Sequence, residues 1–206
     1  MRTTSSEMGC YVGEGLESTI FENTSEHGTC ILKKWKDPCN MNSILYQVHM
    51  QQICHHANIS PGLKWIDFDK NCILMEKLNC NLLTFLTKMK SKHTPHMMKQ
   101  IQNEIITKWK ELDDLQIFHN DSNICNIMLD DEFHVKIIDF GFSIQCDSDS
   151  NVTNMKQNPA AYVKWIKEWN LNNPHNRIAP MSYSVIEKTA SSQYKPMHKN
   201  QRKINV

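Results

Sequence analysis

The first third of the chain alternates short apolar runs with turn residues, a pattern typical of a small antiparallel sheet. β-prone runs occupy residues 11–12, 19–21 and 29–32, and glycine- or asparagine-containing turns at 13–15 and 23–28 separate them. The pattern therefore predicts three consecutive strands joined by short turns.

A helical spacing interrupts these strands once. Between residues 41 and 56, apolar side chains return every three or four positions, which predicts a helix. Pro61 and Gly62 then precede two further strand-like runs at 63–66 and 72–75. The first 78 residues are thus predicted to form five strands and one helix, a small β-rich lobe.

From Leu82 onward the pattern is helical. Thr94 is a predicted N-cap and Pro95 the first residue of a helix over 95–117. Apolar residues along this helix form a stripe that we interpret as core: Met98, Ile101, Ile105, Trp109, Leu112 and Leu115.

The remaining pattern is a hairpin, a loop and one more helix. Apolar runs at 127–129 and 135–138 flank an acidic turn, which predicts a β-hairpin. Residues 144–158 are polar and predicted as loop, and 161–169 have the spacing of an amphipathic helix.

These elements predict a two-lobed α+β fold. The expected boundaries are an N-terminal tail over 1–10, a β-rich lobe over 11–78, an α-rich lobe over 79–187 and a basic tail over 188–206. The hairpin is expected to face the junction between the lobes, where a cleft commonly binds a nucleotide.

Composition narrows the range of partners. The chain has 206 residues and a formal net charge of +1, which argues against nucleic acid or an anionic membrane as partner. Its eight cysteines are scattered without a CxxC pair, and no signal peptide or bilayer-spanning run is present. We therefore expect a cytoplasmic protein with reduced thiols. The cluster at 54–56, one cysteine and two histidines, lacks a second ligand pair at zinc-like spacing.

Two carboxylates and an amide carry the candidate chemistry. Asp121 precedes Asn126 by five residues, and Asp139 follows beyond the predicted hairpin. One carboxylate can orient an attacking hydroxyl, while amide and carboxylate oxygens are ligands that suit Mg²⁺. This combination is what phosphoryl transfer from ATP requires, so the sequence predicts a kinase.

Gly13 and Gly15 by themselves indicate a phosphate-binding turn only weakly, but their position strengthens that interpretation. They lie between two predicted strands, and Lys33 ends the next strand. Backbone N–H groups of such a turn can approach phosphates, and a lysine on a strand can hold them. Lys34 would point to the opposite face of that strand.

Over residues 11–143 the chain resembles the eukaryotic-type protein kinase superfamily. Six segments follow the order of that family, with Ser18 in place of the third glycine of its glycine-rich loop. The segments are the glycine-rich loop at 13–20, the lysine strand at 30–33, the segment after the regulatory helix at 58–59, the hinge at 74–78, the catalytic loop with its following strand at 119–129, and the Asp-Phe-Gly motif at 139–141.

The resemblance implies roles for individual residues, with ATP and Mg²⁺ as cofactors. Asp121, Lys33 and Asn126 would be catalytic, and Asn126 and Asp139 would hold Mg²⁺. His119 and Phe140 would be structural. The residues implied in nucleotide binding are Gly13, Glu14, Gly15, Ile20, Ile31, Lys33, Met75, Glu76, Leu78 and Met128.

The chain also departs from the family pattern. The family spacing places Gln47 where the regulatory helix carries its glutamate, and no glutamate occurs between Glu26 and Glu76. Asn120 replaces the usual arginine and Asn123 a common lysine. After Gly141 only 65 residues follow, without an Ala-Pro-Glu motif, so a truncated C-lobe is expected. These departures resemble small kinases of viruses and bacterial effectors, and the small kinase of the complex that makes threonylcarbamoyladenosine in tRNA.

Three readings follow. The first is a minimal serine/threonine protein kinase acting on a protein substrate, with a regulatory protein partner, in the cytoplasm or, for a viral or effector protein, the host cytoplasm or nucleus. The second is a pseudokinase that binds nucleotide, which the absent helix glutamate favours. The third is a small-molecule kinase, because the triplet at 119–121 is typical of choline and ethanolamine kinases.

Overall fold

A five-stranded antiparallel sheet forms the N-terminal half of the protein. The computed structural model describes residues 9–146, apart from 16, 26–27, 37–39, 90–93 and 122, together with Asn154. The strands follow the order β1-β2-β3-β5-β4 across the sheet. Their bounds are Cys10–Glu14 (β1), Ser18–Ser25 (β2), Gly28–Trp35 (β3), Leu63–Asp67 (β4) and Cys72–Glu76 (β5).

One helix packs on this sheet. Helix α1 spans Met41–His56 and begins at Asn40, whose side chain accepts a hydrogen bond from the Asn42 N–H at 3.0 Å. Its apolar face joins the sheet in one buried cluster: Trp35, Ile44, Val48, Ile73 and Met75. The prediction of five strands and one helix in this region is confirmed. It could be made because the strand and helix periodicities each extend far enough along the sequence to be recognised.

The second half is built mainly from helices. Its elements are β6 (Cys80–Asn81), α2 (Leu82–Lys88), α3 (Pro95–Asp114), β7 (Ile117–Phe118), β8 (Ile127–Leu129), β9 (Val135–Ile137) and β10 (Ile144–Gln145). Thr94 caps α3 by accepting a hydrogen bond from the Met97 N–H at 3.1 Å, as predicted. The α3 stripe lies in a large core that also receives Phe85, Ile127 and Leu129.

Two boundaries differ from the sequence prediction. Helix α3 ends at Asp114 rather than at residue 117, because Gln116 adopts a left-handed backbone with φ of 59°. Ile117–Phe118 then pairs with Ile144–Gln145, so the predicted loop over 144–158 begins with a strand. Two-residue strands are too short to produce a recognisable alternation.

Other sequence predictions lie outside the described residues, namely the helix at 161–169 and the basic tail at 188–206. Within the described part of the chain, no helix has the length and apolarity needed to cross a bilayer.

Glu104 anchors α3 to the β8–β9 hairpin. Its carboxylate accepts hydrogen bonds from the Val135 N–H at 2.8 Å, from His134 Nδ1 at 3.0 Å and from Gln100 Nε2 at 3.1 Å. Burial alone would raise the pKa of Glu104, but these hydrogen bonds outweigh burial and lower it. The hydrogen bond with Glu104 and its negative charge raise the pKa of His134.

We expect His134→Gln to destabilise the protein more at about pH 5.5 than at about pH 8.5. A raised folded-state pKa means that the charged His134 stabilises the fold below its unfolded value, roughly 6.5. That contribution is lost as the pH rises through the folded pKa. Urea unfolding at the two pH values measures the difference, with His96→Gln at the exposed start of α3 as control. An equal loss at both pH values would contradict a charged pair.

Candidate active site

Asp121 and Asn126 lie in the segment that leads into β8. Asn126 Nδ2 donates to Asp121 Oδ2 at 2.7 Å, and the Asn123 N–H donates to Asp121 Oδ1 at 3.2 Å. Residues Ile124–Asn126 form a 3₁₀ turn, capped by Asn123 through a bond from the Cys125 N–H at 2.9 Å. Short side chains that bond nearby backbone groups thus fix this loop and bring the first two predicted residues together.

Asp139 follows β9 and faces the sheet of the other lobe. Its carboxylate receives the Lys33 ammonium, with Nζ and Oδ1 2.9 Å apart. The backbone of Asp139 is left-handed, with φ of 67° and ψ of 70°, a conformation that aspartate tolerates better than most residues. The Ile138 N–H donates to the Asn126 carbonyl at 3.0 Å, so the hairpin holds Asp139 beside the Asp121 loop.

His119 is the buried support of this region. Its Nε2 lies 2.9 Å from the Ile138 carbonyl, to which it must donate, and its ring meets those of Phe140 and Trp109 edge-on at 5.1 and 5.8 Å. Burial lowers the pKa of His119 and outweighs the hydrogen bond to Ile138 and the charges of Asp121 and Asp139, which raise it. His119 and Phe140 are both buried, a position that suits the structural role that the resemblance implies.

Asn154 supports the same loop and was not found from the sequence. Fully buried, it accepts the His119 N–H at 2.8 Å and donates through Nδ2 to the Ile117 carbonyl at 2.7 Å. It also donates to Asp113 Oδ1 at 2.7 Å, which ties the loop to the end of α3. Asn154 sits in a polar stretch without periodicity, so no sequence signal distinguishes it from a solvent-exposed residue.

The register of β3 separates the two neighbouring lysines. Lys33 pairs with Ile20 on β2 and Ile73 on β5, whereas Lys34 pairs with Thr19 and Cys72. Because paired residues share a face of the sheet, Lys33 lies on the α1 side and Lys34 on the other. The Lys33 ammonium also lies 5.5 Å from the ring centroid of Trp35, and its side chain is only 13% exposed.

The glycine-rich segment forms the turn between β1 and β2. The Gly15 N–H donates to the Ser18 carbonyl at 2.8 Å, and Lys36 Nζ donates to the Gly15 carbonyl at 2.9 Å. Lys36 also pairs with Glu14 at 3.4 Å. A Cβ built at Gly13 would meet nothing within 4 Å, so packing does not require glycine there. A missing side chain in open space is what close approach by a ligand needs.

Three of the residues that the resemblance implies in nucleotide binding, Ile20, Ile31 and Lys33, share one face of the sheet. The pairing of β3 places Ile31 on the face of Ile20 and Lys33, opposite Met75 of β5. Met75 is buried, while Met128 on β8 is half-buried.

Part of the backbone of the predicted hinge, residues 74–78, is already hydrogen-bonded within the protein. The Glu76 N–H already donates to the Gly62 carbonyl at 2.9 Å, and the Glu76 carboxylate accepts the Gly62 N–H at 3.2 Å. The Glu76 N–H is therefore already engaged within the protein. Leu78, two residues further along the hinge, has a buried side chain.

By the family spacing, Gln47 is the residue of α1 that stands in place of the regulatory-helix glutamate. It is buried on α1, and its Nε2 is 3.5 Å from Glu17 Oε2. A Cβ added to Gly141 would come within 3.2 Å of the same amide, so the helix contacts the Asp-Phe-Gly motif through Gln47.

The donor set favours magnesium over softer metals. Asn126 donates through Nδ2 to Asp121, so its Oδ1 could serve as an oxygen ligand, and the Asp139 carboxylate, 48% exposed, could serve as another. In the described ranges, no group of three or more histidine, cysteine, aspartate or glutamate residues has metal-site geometry. Burial raises the pKa of the Cys54 thiol to about 12, so the 54–56 cluster lacks an available thiolate.

A known protein family matches most of the chain. A family model described as protein tyrosine and serine/threonine kinase matches residues 7–177, well over half of the chain. The matched stretch contains every residue predicted for the site.

Proposed function

Because this chain belongs to the family of protein tyrosine and serine/threonine kinases, we propose that it transfers the γ-phosphoryl group of ATP to serine or threonine hydroxyls of a protein, with Mg²⁺. The observation that carries the proposal is a set of two polar pairs. Asn126 Nδ2 lies 2.7 Å from Asp121 Oδ2, and Lys33 Nζ lies 2.9 Å from Asp139 Oδ1. Each lobe contributes to this arrangement, and the carboxylates are partly accessible to a ligand.

The two pairs suit the steps of phosphoryl transfer. Mg²⁺, when bound, would neutralise charge on the transferring phosphates. Asp139 and Asn126 would supply oxygen ligands for it, and Lys33 would supply a cation for the α- and β-phosphates. Asp121 is held in its loop by two hydrogen bonds and is partly accessible, and it would orient the substrate hydroxyl and accept its proton.

A pseudokinase is the second candidate, and Gln47 favours it. The family uses a glutamate at this position to pair with the strand lysine, whereas an amide has no charge to offer. A nucleotide-binding module without transfer would keep Lys33 and Asp139 and tolerate this replacement.

We also propose a cytoplasmic setting and two kinds of protein partner. All seven cysteines in the described part of the chain are free thiols, which suits a reducing compartment. A protein substrate follows from the family. A regulatory protein partner is proposed because Asn120 replaces the arginine through which the family answers activation-loop phosphorylation.

A labelled-ATP assay tests these candidates. The purified chain is incubated with Mg²⁺ and labelled ATP in the presence of a generic protein, choline or no acceptor, beside an Asp139→Asn control. Label on protein serine or threonine that disappears in the control supports the proposal, and label on tyrosine corrects the acceptor. Label on choline alone supports a small-molecule kinase. Thermal stabilisation by nucleotide without transfer supports a pseudokinase.

Lys33→Ala is expected to lower kcat/KM for ATP by about 10- to 100-fold, and Lys34→Ala by no more than about twofold. Only Lys33 lies on the α1 face and reaches Asp139, while Lys34 points to the other side of the sheet. Steady-state kinetics at varied ATP concentration compares the two variants. Equal losses would remove Lys33 from the site.

A further inference from the structure

We infer that Glu17, in the turn after the glycines, positions Lys33 through Gln47 and so supplies the negative charge that α1 lacks. The inference rests on the proposed phosphoryl transfer and adds a positioning residue to it. Glu17 is exposed, whereas Gln47 is 5% exposed, and the Gln47 amide is the group that connects the turn to the interior of the site.

Lys33 lies on the face of β3 against which α1, the helix of Gln47, packs. Trp35 shares the face of Lys33 on β3 and packs against Ile44 and Val48, which lie on the α1 turns that carry Gln47. Gln47 in turn lies against Gly141, two residues after Asp139, the present partner of Lys33. Among the described residues, Asp139 is the one carboxylate within ion-pair distance of Lys33.

When Mg²⁺ and nucleotide are bound, Lys33 would lack a carboxylate of the protein that fixes its position. If Asp139 turns to Mg²⁺, its carboxylate is shared with a divalent cation and holds Lys33 less strongly. Phosphate oxygens then attract the ammonium, but they do not fix its position from the protein side. In the family a helix glutamate does so, and the corresponding Gln47 has no charge.

The contact with Glu17 compensates for the missing charge on α1 because it fixes and polarises the Gln47 amide. A carboxylate accepts hydrogen bonds and cannot donate them at neutral pH, so Glu17 holds the Nε2 end of Gln47 toward itself at 3.5 Å. The carbonyl end, Oε1, is then left as the acceptor for Lys33. A charged partner at one end of an amide strengthens hydrogen bonding at the other.

Glu17 is itself held in place by the sheet. Its carbonyl accepts the Lys36 N–H at 2.9 Å, and the next residue, Ser18, pairs with Trp35. The relay therefore starts from the turn that is proposed to cover the phosphates. Movement of that turn would change the hold on Lys33, which links nucleotide binding to α1.

A charge-swap experiment tests the relay. Gln47→Glu restores the residue that the family carries, yet it places two carboxylates where the present contact is 3.5 Å. We expect it to lower kcat by about tenfold, because repulsion raises the pKa of one carboxyl or displaces it. The double variant Glu17→Gln with Gln47→Glu is expected to recover activity to within about twofold of wild type, since amide and carboxylate have exchanged places.

Glu17→Ala covers the case in which Gln47→Glu does not fold. Glu17 is exposed, so its truncation leaves the core intact, and we expect kcat/KM for ATP to fall about three- to tenfold. Controls add or remove the same charge elsewhere: Gln52→Glu on the exposed side of α1 and Glu132→Gln in the exposed hairpin turn. Both are expected to stay within about twofold of wild type.

The outcomes separate this inference from the proposed function. Gln47→Glu that folds with wild-type activity or more, or Glu17→Ala without effect, overturns the relay while transfer stands. If wild type transfers no phosphate, the proposed function fails. The relay is then decided by the affinity of the same variants for Mg²⁺–ADP in calorimetry. A loss in Gln47→Glu that the double variant recovers upholds the relay, and additive effects overturn it.

Discussion

Asp139→Asn is expected to lower phosphoryl transfer by at least about 10³-fold while the protein stays folded. The substitution keeps the size of the side chain but removes the charge that Lys33 contacts at 2.9 Å and that Mg²⁺ would require. Asparagine also accepts the left-handed backbone at this position as readily as aspartate. The loss should therefore lie in chemistry and metal binding rather than in structure.

The measurement is an initial-rate assay over a range of Mg²⁺ concentrations, with thermal unfolding of the same samples. Because the Asp139 side chain is 48% exposed, its ion pair with Lys33 stabilises the fold only slightly, and the unfolding temperature should change little. Asp131→Asn, in the exposed hairpin turn, is the matched control. Activity of Asp139→Asn within about tenfold of wild type would place the metal elsewhere.

Much of this site could be predicted because its residues occur at fixed spacing within strongly patterned elements. Asp121, Asn126 and Asp139 flank a hairpin whose apolar runs are unambiguous. Asp121 and Asn126 are hydrogen-bonded at 2.7 Å, and the Ile138 N–H, next to Asp139, donates to the Asn126 carbonyl. Lys33 was separable from Lys34 because strand alternation sends neighbours to opposite faces.

The contacts that were not predicted depend on tertiary structure. Asn154 reaches the Asp121 loop across 35 positions of sequence, from a stretch whose composition resembles any loop. Glu17 and Gln47 are 30 positions apart and meet only because α1 packs beside the first turn of the sheet. A buried amide and a solvent-exposed amide have the same letter in a sequence, and only packing distinguishes them.

Asn120 illustrates a departure that the backbone explains in part. It adopts φ of 57°, in the left-handed region where asparagine is among the better-tolerated residues. The loop between His119 and Asp121 thus has a sharp local turn that Asn120 favours. The arginine of the family would offer a phosphate-binding charge here, which this chain does not have.

Asp121→Asn is expected to lower kcat by about 10²- to 10⁴-fold with KM for ATP changed by no more than about twofold. In the present loop, Asp121 accepts one hydrogen bond through each oxygen, from the Asn123 N–H at 3.2 Å and from Asn126 Nδ2 at 2.7 Å. An asparagine keeps one acceptor oxygen, so it can retain the bond from Asn126 Nδ2 but loses the longer one from the Asn123 N–H. It cannot take a proton from a hydroxyl or attract one through charge.

Rapid-quench kinetics with saturating Mg²⁺–ATP separates the chemical step from nucleotide binding in this variant. Asp114→Asn, at the exposed end of α3, is the matched control and should leave both constants within about twofold. A fall in ATP affinity equal to the fall in kcat would mean that Asp121 acts on the nucleotide rather than on the acceptor. Retained nucleotide binding with lost transfer would instead locate the acceptor hydroxyl beside Asp121. Of the two aspartates proposed for the site, Asp139 is paired with the Lys33 ammonium, whereas Asp121 is held by neutral N–H donors in the described structure.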